Sequence, residues 1–369
     1  MTMLKKIDVN GYRSIKDVSL ELTSLNVLIG PNGAGKSNFV SFFKLLNEMM
    51  GGRLQQYIGT SGRAQSILHF GPKVTPQLEA RLEFEADNGT DWYSMRLFHA
   101  AGDALVYAEE KLEFLQTGYT TPKVVSLGAG HQETRIGEQA NKGEPIAKTI
   151  RWLLNQCRVY HFHDTSPTAR VRQYGYINDN RWLMPDAGNL AAMLYTYREK
   201  EGVAYRRIVS TLRKITPEFD DFDLEPSRLN PNDILLNWRK TGYDYLFGPH
   251  QVSDGSLRAM AICTLFLQPE NDLPDVIILD EPELGLHPHA LEIVAGLIRS
   301  VSSKTQVIVA TQSQNFLNFF EPSEVITVEV LAGQSIFRRQ EEEQLHAWLE
   351  DYSLGELWQR NVLGGGPLP

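Results

Sequence analysis

The segment Gly30-Pro-Asn-Gly-Ala-Gly-Lys36-Ser37 has the residue types and spacing of a phosphate-binding loop, Gly-x4-Gly-Lys-Ser. The apolar run Leu25–Ile29 before it reads as a buried strand, and residues 38–46 after it have the apolar spacing of a helix. Strand, glycine loop and helix N-terminus together make an anion site. Glycines let backbone N–H groups crowd around phosphates, and the helix dipole adds positive potential. Asn32, Gly33, Gly35, Lys36, Ser37 and Asn38 are therefore the candidate contacts to a nucleoside triphosphate. Lys36 is expected to reach the β- and γ-phosphates, and the Ser37 hydroxyl to hold Mg²⁺.

A second chemistry-bearing set lies at 275–282, Asp-Val-Ile-Ile-Leu-Asp-Glu-Pro. Four apolar residues predict a buried strand that delivers Asp280 and Glu281 at its C-terminal end, where ligands sit in an open α/β sheet. Asp280 is expected to position Mg²⁺, and Glu281 to polarise an attacking water as general base. The acidic pair takes this meaning from the phosphate loop upstream.

Asp280-Glu-Pro-Glu-Leu-Gly-Leu-His-Pro288 resembles the Walker B and D-loop of ABC-type ATPases, and more closely those of the RecF/SMC/OLD branch. Val252-Ser-Asp-Gly-Ser-Leu-Arg258 resembles that branch's signature, with Asp254 where transporters carry the first glycine of Leu-Ser-Gly-Gly-Gln. In that family the signature serine and glycine of one subunit cap the γ-phosphate held by the other. The resemblance thus implies a homodimer closed around ATP and makes Ser253 and Gly255 ATP contacts. The same residues also fit an ordinary helix N-cap.

Residues 307–313 match the family's switch strand, with Gln312 in place of the usual histidine. Glutamine can orient a water but carries no charge, which implies slow turnover. Residues 159–164, Val-Tyr-His-Phe-His-Asp, resemble the strand-to-helical-lobe junction of RecF-like proteins and stand where a Q-loop is expected. A surface loop with incidental histidines is the alternative. His161 and His163 alone, without a third ligand, do not make a metal site. Gly11-Tyr-Arg-Ser-Ile-Lys16 resembles the family's N-terminal strand pair near the adenine and ribose, with Tyr12 a stacking candidate and Arg13 a contact.

The fold implied is α/β, an ABC-ATPase head: a phosphate-loop parallel sheet plus an antiparallel β subdomain, with a helical lobe inserted before the signature. The expected divisions are 1–150, 151–250, 251–335 and 336–369. Alternation over 3–29 predicts two strands before the loop strand. Residues 78–86 and 92–98 alternate around Asp87-Asn-Gly-Thr90 as a hairpin, followed by strands near 104–108 and 111–115. The stretches 51–66 and 116–145 read as mobile or disordered, 146–215 as largely helical, and 341–358 as one helical piece. From 253 onward helix and strand alternate, and the tail 364–369 reads as frayed. Prolines at 167, 185, 217, 226, 231 and 249 rule out the long coiled coil of chromosome-structuring relatives. A Toprim nuclease domain of the OLD kind is not expected after residue 330, so a nuclease would be a separate chain.

The chain's 369 residues are 42% hydrophobic and 22% charged, as in ordinary globular proteins. No run approaches the ~20 apolar residues of a membrane span, and no signal-peptide core follows Lys5 and Lys6, so a cytoplasmic protein is expected. Cys157 and Cys263 read as buried reduced thiols. Net charge is −9, but residues 151–214 carry an excess of six positive charges and 269–369 an excess of eleven negative ones. These stretches are a candidate duplex-DNA surface and a candidate docking face; both also fit solvated helix faces. Two functions follow: an ATP-driven dimeric switch on DNA with a separate nuclease, in phage defence or repair, or a regulatory module restraining a toxic effector without DNA. A transporter ATPase is disfavoured by the insertion, by Asp254 and by Gln312. No Asn-Lys-x-Asp motif is present, which favours ATP over GTP.

Overall fold

Leu25, Asn26, Val27, Leu28 and Ile29 are all buried, so the strand entering the phosphate loop is covered on both faces and lies inside a sheet. A computed structural model, which describes residues 2–366, gives the element order. It begins β1 (Met3–Tyr12), β2 (Ile15–Glu21), β3 (Leu25–Ile29), α1 (Lys36–Met50), α2 (Leu54–Thr60) and α3 (Arg63–Ile67). Next come β4 (Gln77–Ala86), β5 (Gly89–Ala100), β6 (Ala104–Gln116), β7 (Lys123–Gly128), α4 (Ile136–Asn141), α5 (Pro145–Gln156) and β8 (Cys157–Tyr160). The middle holds β9 (Gly175–Tyr176), α6 (Leu190–Lys200), α7 (Gly202–Ile215), β10 (Phe219–Asp223), β11 (Asp233–Ile234), β12 (Asn237–Lys240) and β13 (Leu246–Phe247). The chain continues through α8 (Asp254–Leu267), β14 (Val276–Asp280), α9 (Pro288–Val301), β15 (Gln306–Thr311) and α10 (Gln314–Leu317). It closes with β16 (Val325–Leu331), β17 (Gln334–Arg339), α11 (Glu342–Leu349) and α12 (Leu354–Gln359).

Two compact units result. One holds residues through Val159, with Pro274–Ile278 and the segment from Thr305 onward; the other holds Tyr160–Leu273 and Leu279–Lys304. In the first unit an antiparallel sheet runs β2-β1-β4-β5-β6-β7, and a mixed sheet runs β17-β16-β3-β15-β14-β8. β15 and β16 flank β3 in parallel, with Thr311 opposite Ile29 at the mouth of the loop. The Gln306 amide clips the sheets together: it accepts from Leu4 N–H at 3.0 Å and donates to the carbonyls of Leu4 and Thr23. The core joins Phe39, Phe42, Phe43 and Leu46 of α1 to Leu82 and Phe84 of β4 and Ile150 and Leu154 of α5. In the second unit, Ile208 and Leu212 of α7, Ile262 and Leu265 of α8, and Val294 and Ile298 of α9 are buried. A small aromatic cluster there joins Phe219, Trp238 and Phe247 on β10, β12 and β13.

Several local expectations need correcting. Residues 51–66 are not a mobile stretch: Leu54, Tyr57 and Ile58 bury one face of α2, and the Glu133 carboxylate accepts its first amides, from Leu54 at 2.8 Å and Gln55 at 2.9 Å. Residues 116–145 are ordered as β7, α4 and the start of α5. Their anchor is Glu110, fully buried, which accepts from His131 Nε2, Thr134 Oγ1, the Tyr93 hydroxyl and Arg135 N–H. The two strands expected near 104–115 are one, because β6 continues through a bulge at Ala108, between the pairs Leu97–Tyr107 and Arg96–Glu109.

Within 146–215, residues 161–188 hold no α-helix, only a single 3₁₀ turn at Arg170–Arg172. Buried side chains satisfy their backbone instead: Asn189 accepts from Met184 N–H and donates to the carbonyls of Asp179 and Trp182. The C-terminal helical piece is two helices, α12 starting from a Ser353–Glu356 capping box. Gly365 and Gly366 are buried, and Trp358 Nε1 donates to Gly365 O at 2.7 Å, so the tail packs as far as 366; residues 367–369 lie outside those described.

Candidate nucleotide site

The phosphate loop is built by conformations only glycine adopts without strain. Gly33 has φ of 80° and Gly35 φ of 114°, and Gly35 is the N-cap of α1. A Cβ on Gly35 would lie 2.0 Å from Ser335 Oγ, so the loop rests directly on β17. Ser335 Oγ also donates to Ser14 Oγ at 2.7 Å, and Asn38 Nδ2 donates to the same oxygen at 2.6 Å. Ser335, far along the chain, carried no local signal for this support. A Cβ on Gly33 would meet nothing within 4 Å, and Asn32 and Ser37 are exposed, so the loop's outer side is open. Lys36 is only 4% exposed, its ammonium donating to Gly30 O at 2.6 Å and Pro31 O at 3.1 Å across the loop. Open backbone amides at a helix start, an inward ammonium and an exposed hydroxyl are the donor set that a magnesium-bound triphosphate requires.

Gln312 directly follows Thr311, so the pairing of β15 with β3 brings it beside the loop in the same unit, half-buried. Arg13 belongs to this unit too, at φ of 49° and half-buried. Tyr12 does not serve as a stacking face: it is fully buried, its hydroxyl 3.0 Å from Ser41 Oγ and its ring edge-on to Phe42.

The second unit carries the acidic and signature residues. Asp280 ends β14, and Glu281 adopts φ of 43°, a left-handed conformation costing a non-glycine residue about 1–3 kcal/mol. The turn that fixes it closes from Leu284 N–H to Glu281 O at 3.2 Å. His163 Nε2 donates to Asp280 O at 3.0 Å, which ties this residue of the 159–164 segment to the backbone beside Glu281. Ser253 caps α8 by accepting Ser256 N–H at 3.1 Å, the N-cap geometry that its sequence also allowed. A Cβ on Gly255 would lie 2.3 Å from Gly285 O, so only glycine lets the start of α8 touch the turn after Glu281.

Two arginines that sequence reasoning gave no structural part hold this region. Arg258 donates to the carbonyls of Phe162, His163 and Leu284 at 3.0–3.1 Å. Arg172, only 5% exposed, donates to the carbonyls of Thr165, Pro249 and Val252 and pairs with Asp254 at 2.8 Å. Asp254 is thus matched by a cation on its own unit. Hydrogen bonds of charged donors contribute about 1.5–3 kcal/mol each, so Arg172→Ala is expected to free residues 249–256. Hydrogen exchange should then show faster exchange there and unchanged protection in α1; unchanged protection at 249–256 would sink the assignment.

The cysteines are free and buried, and burial pushes both thiols well above the usual range. Among the described residues no cluster of three or more metal-ligating side chains occurs, and no helix is long and apolar enough to cross a membrane.

Comparison with known proteins agrees with the fold. Residues 159–318 match the family model described as "AAA domain, putative AbiEii toxin, Type IV TA system", and residues 3–60 match "AAA ATPase domain". An SMC head solved bound to the C-winged helix domain of ScpA shares the fold, with a TM-score of 0.62 at 15% identity over 93% of this chain and 99% of that one. So does the Pyrococcus furiosus Smc head with an extended coiled coil, bound to the C-terminal domain of ScpA (TM-score 0.59, 14% identity, 95% of this chain and 99% of that one). No curated protein matches. Fold and loop are those of a head domain built on a loop of phosphate-binding type. Two stretches of the chain thus match AAA-type ATPase family models, and the chain shares the fold of SMC heads.

Proposed function

We propose that the chain is an ATP-driven dimeric switch that acts on duplex DNA together with a separate nuclease, in phage defence or repair. The observation that carries the ATPase reading is the phosphate cradle, with Gly35 seated on Ser335 and Lys36 drawn across the loop. Bound ATP with Mg²⁺ supplies the scissile phosphoanhydride and the charge that screens it. In this reading the amides from Gly33 to Asn38 orient the phosphates and Lys36 neutralises them. Ser37 and Asp280 would be the residues that hold the metal. Glu281 takes the proton of the attacking water while Gln312 orients that water. Arg13 contacts the nucleotide. Ser253 and Gly255 meet the phosphates bound by a second copy, which closes the dimer.

For DNA, the support is the outer face of α7, where Arg206, Arg207 and Lys214 are exposed. Other cations of the basic stretch are already matched: Arg170 by Asp186, Arg172 by Asp254, Arg198 by Glu199 and Arg213 by Asp220. The test is steady-state ATP hydrolysis with and without duplex DNA at low salt. Stimulation by DNA is expected. Replacing Arg206, Arg207 and Lys214 by Glu should abolish it. The same variant should flatten the salt dependence of DNA binding by about 0.9 in log–log slope for each phosphate it no longer neutralises.

A second reading is favoured by the description of the family matched at 159–318, which names a putative AbiEii toxin and a type IV toxin–antitoxin system. Here the module restrains a toxic effector through protein contact. The bound ScpA domains on both similar SMC heads support a head of this fold docking another protein. Hydrolysis indifferent to DNA would favour this reading over the first.

A further inference from the structure

The hairpin that joins β12 to β13 ends in an exposed apolar tip. All of residues 241–246, Thr-Gly-Tyr-Asp-Tyr-Leu, are exposed, Tyr243 at 62% and Leu246 at 47%. The tip is held in place from below. Thr241 N–H donates to Glu218 O at 2.9 Å, Lys240 pairs with Glu218 and lies over the Tyr243 ring, and the Tyr245 ring meets Phe247 edge-on. Phe247 in turn packs on the buried Trp238. Three large apolar side chains within four residues, kept in water on a packed base, mark a contact surface.

β13 leads directly into the signature segment of the same unit. Arg172 donates to the carbonyls of Pro249 and Val252, just after the hairpin, and pairs with Asp254 at the start of α8. One buried cation thus fixes the foot of the hairpin and the signature together, so the tip and Ser253–Gly255 move as one body.

The first unit carries a matching patch. The β16–β17 turn, Val330-Leu-Ala-Gly333, is exposed throughout and holds no charged residue. The exposed Phe70 ring rests against it, where a Cβ on Gly333 would lie 2.9 Å from its Cζ. Two residues further on, Ser335 supports Gly35 of the phosphate loop. Each apolar patch therefore adjoins one half of the ATP sandwich: the hairpin beside the signature, the turn beside the phosphate loop.

We propose that the 243–246 tip of one copy seats on the 330–333 turn and Phe70 of a second copy. This rests on the closed dimer, in which the signature of one copy meets the phosphates held by the other. The contact lies outside the nucleotide, occurs twice in a two-fold dimer, and buries side chains that the single chain leaves in water. Closure then depends on apolar area as well as on ATP.

The test measures the ATP-dependent dimer of the Glu281→Gln chain by sedimentation velocity across a concentration series. The parent is compared with Leu246→Glu, with Leu331→Lys and with the two combined. Both leucines are exposed, so neither change disturbs a core. Burying one leucine is worth about 10- to 150-fold in association, so each single variant should weaken the dimer by that factor. The combined variant, in which glutamate meets lysine, should recover most of the loss. Unchanged dimerisation in the single variants would overturn the contact and leave the sandwich standing, as would losses that the combined variant does not recover. A parent that stays monomeric with ATP would overturn the sandwich, and the contact with it.

Discussion

Replacing Glu281 by glutamine is expected to lower steady-state ATP hydrolysis by about 10²- to 10⁴-fold while ATP still binds. Glutamine keeps the size and hydrogen-bonding shape of the side chain but cannot take a proton. The backbone is prepared for this position: φ of 43° at Glu281 and the turn closed by Leu284 hold the residue at the end of β14. Strain of this kind at a carboxylate ending a central strand motivates the role. The variant should also accumulate an ATP-dependent dimer, since closure depends on binding and reopening on hydrolysis. Size-exclusion chromatography with ATP reads this directly. Monomer alone would discard the sandwich of Ser253 and Gly255 on a second copy's phosphates. Wild-type turnover in the variant would move the base elsewhere.

Glu110→Ala should cost about 3–5 kcal/mol of stability, because it removes the shared acceptor of a buried polar network and leaves its donors unpaired. Glu110 is fully buried and holds His131, Thr134, Arg135 N–H and the Tyr93 hydroxyl. Tyr107 stacks on the His131 ring at 4.4 Å, so an aromatic face depends on the same carboxylate. The consequence travels outward. The 131–135 segment includes Glu133, which caps α2, and α2 is followed by α3. Chemical denaturation should show the midpoint falling by the corresponding amount, with Glu110→Gln losing less because its carbonyl still accepts. An unchanged midpoint for the alanine variant would show that the network contributes nothing to stability.

The phosphate loop, the strand into it and the helix out of it were legible because each is a local pattern: glycine spacing, a buried apolar run, helical periodicity. The same holds for the strand bearing Asp280 and Glu281 and for the alternation of helix and strand after 253. Local pattern misled where order comes from distant side chains. Residues 51–66 and 116–145 look like loops because the caps and anchors that fold them, Glu133 and Glu110, lie elsewhere in the chain. Tyr12 reads as a stacking residue until Phe42 and Ser41 are seen to bury it.

By itself, then, the sequence determined that a glycine loop of phosphate-binding type and an apolar strand ending in two adjacent carboxylates are present, since both consist of fixed residue types at fixed local spacing. Only the tertiary structure decided what supports them. Ser335 beneath Gly35, Arg172 against Asp254 and Arg258 on the turn after Glu281 join residues far apart in the chain. No spacing rule encodes such pairs; they exist once burial and hydrogen bonding have brought the segments together.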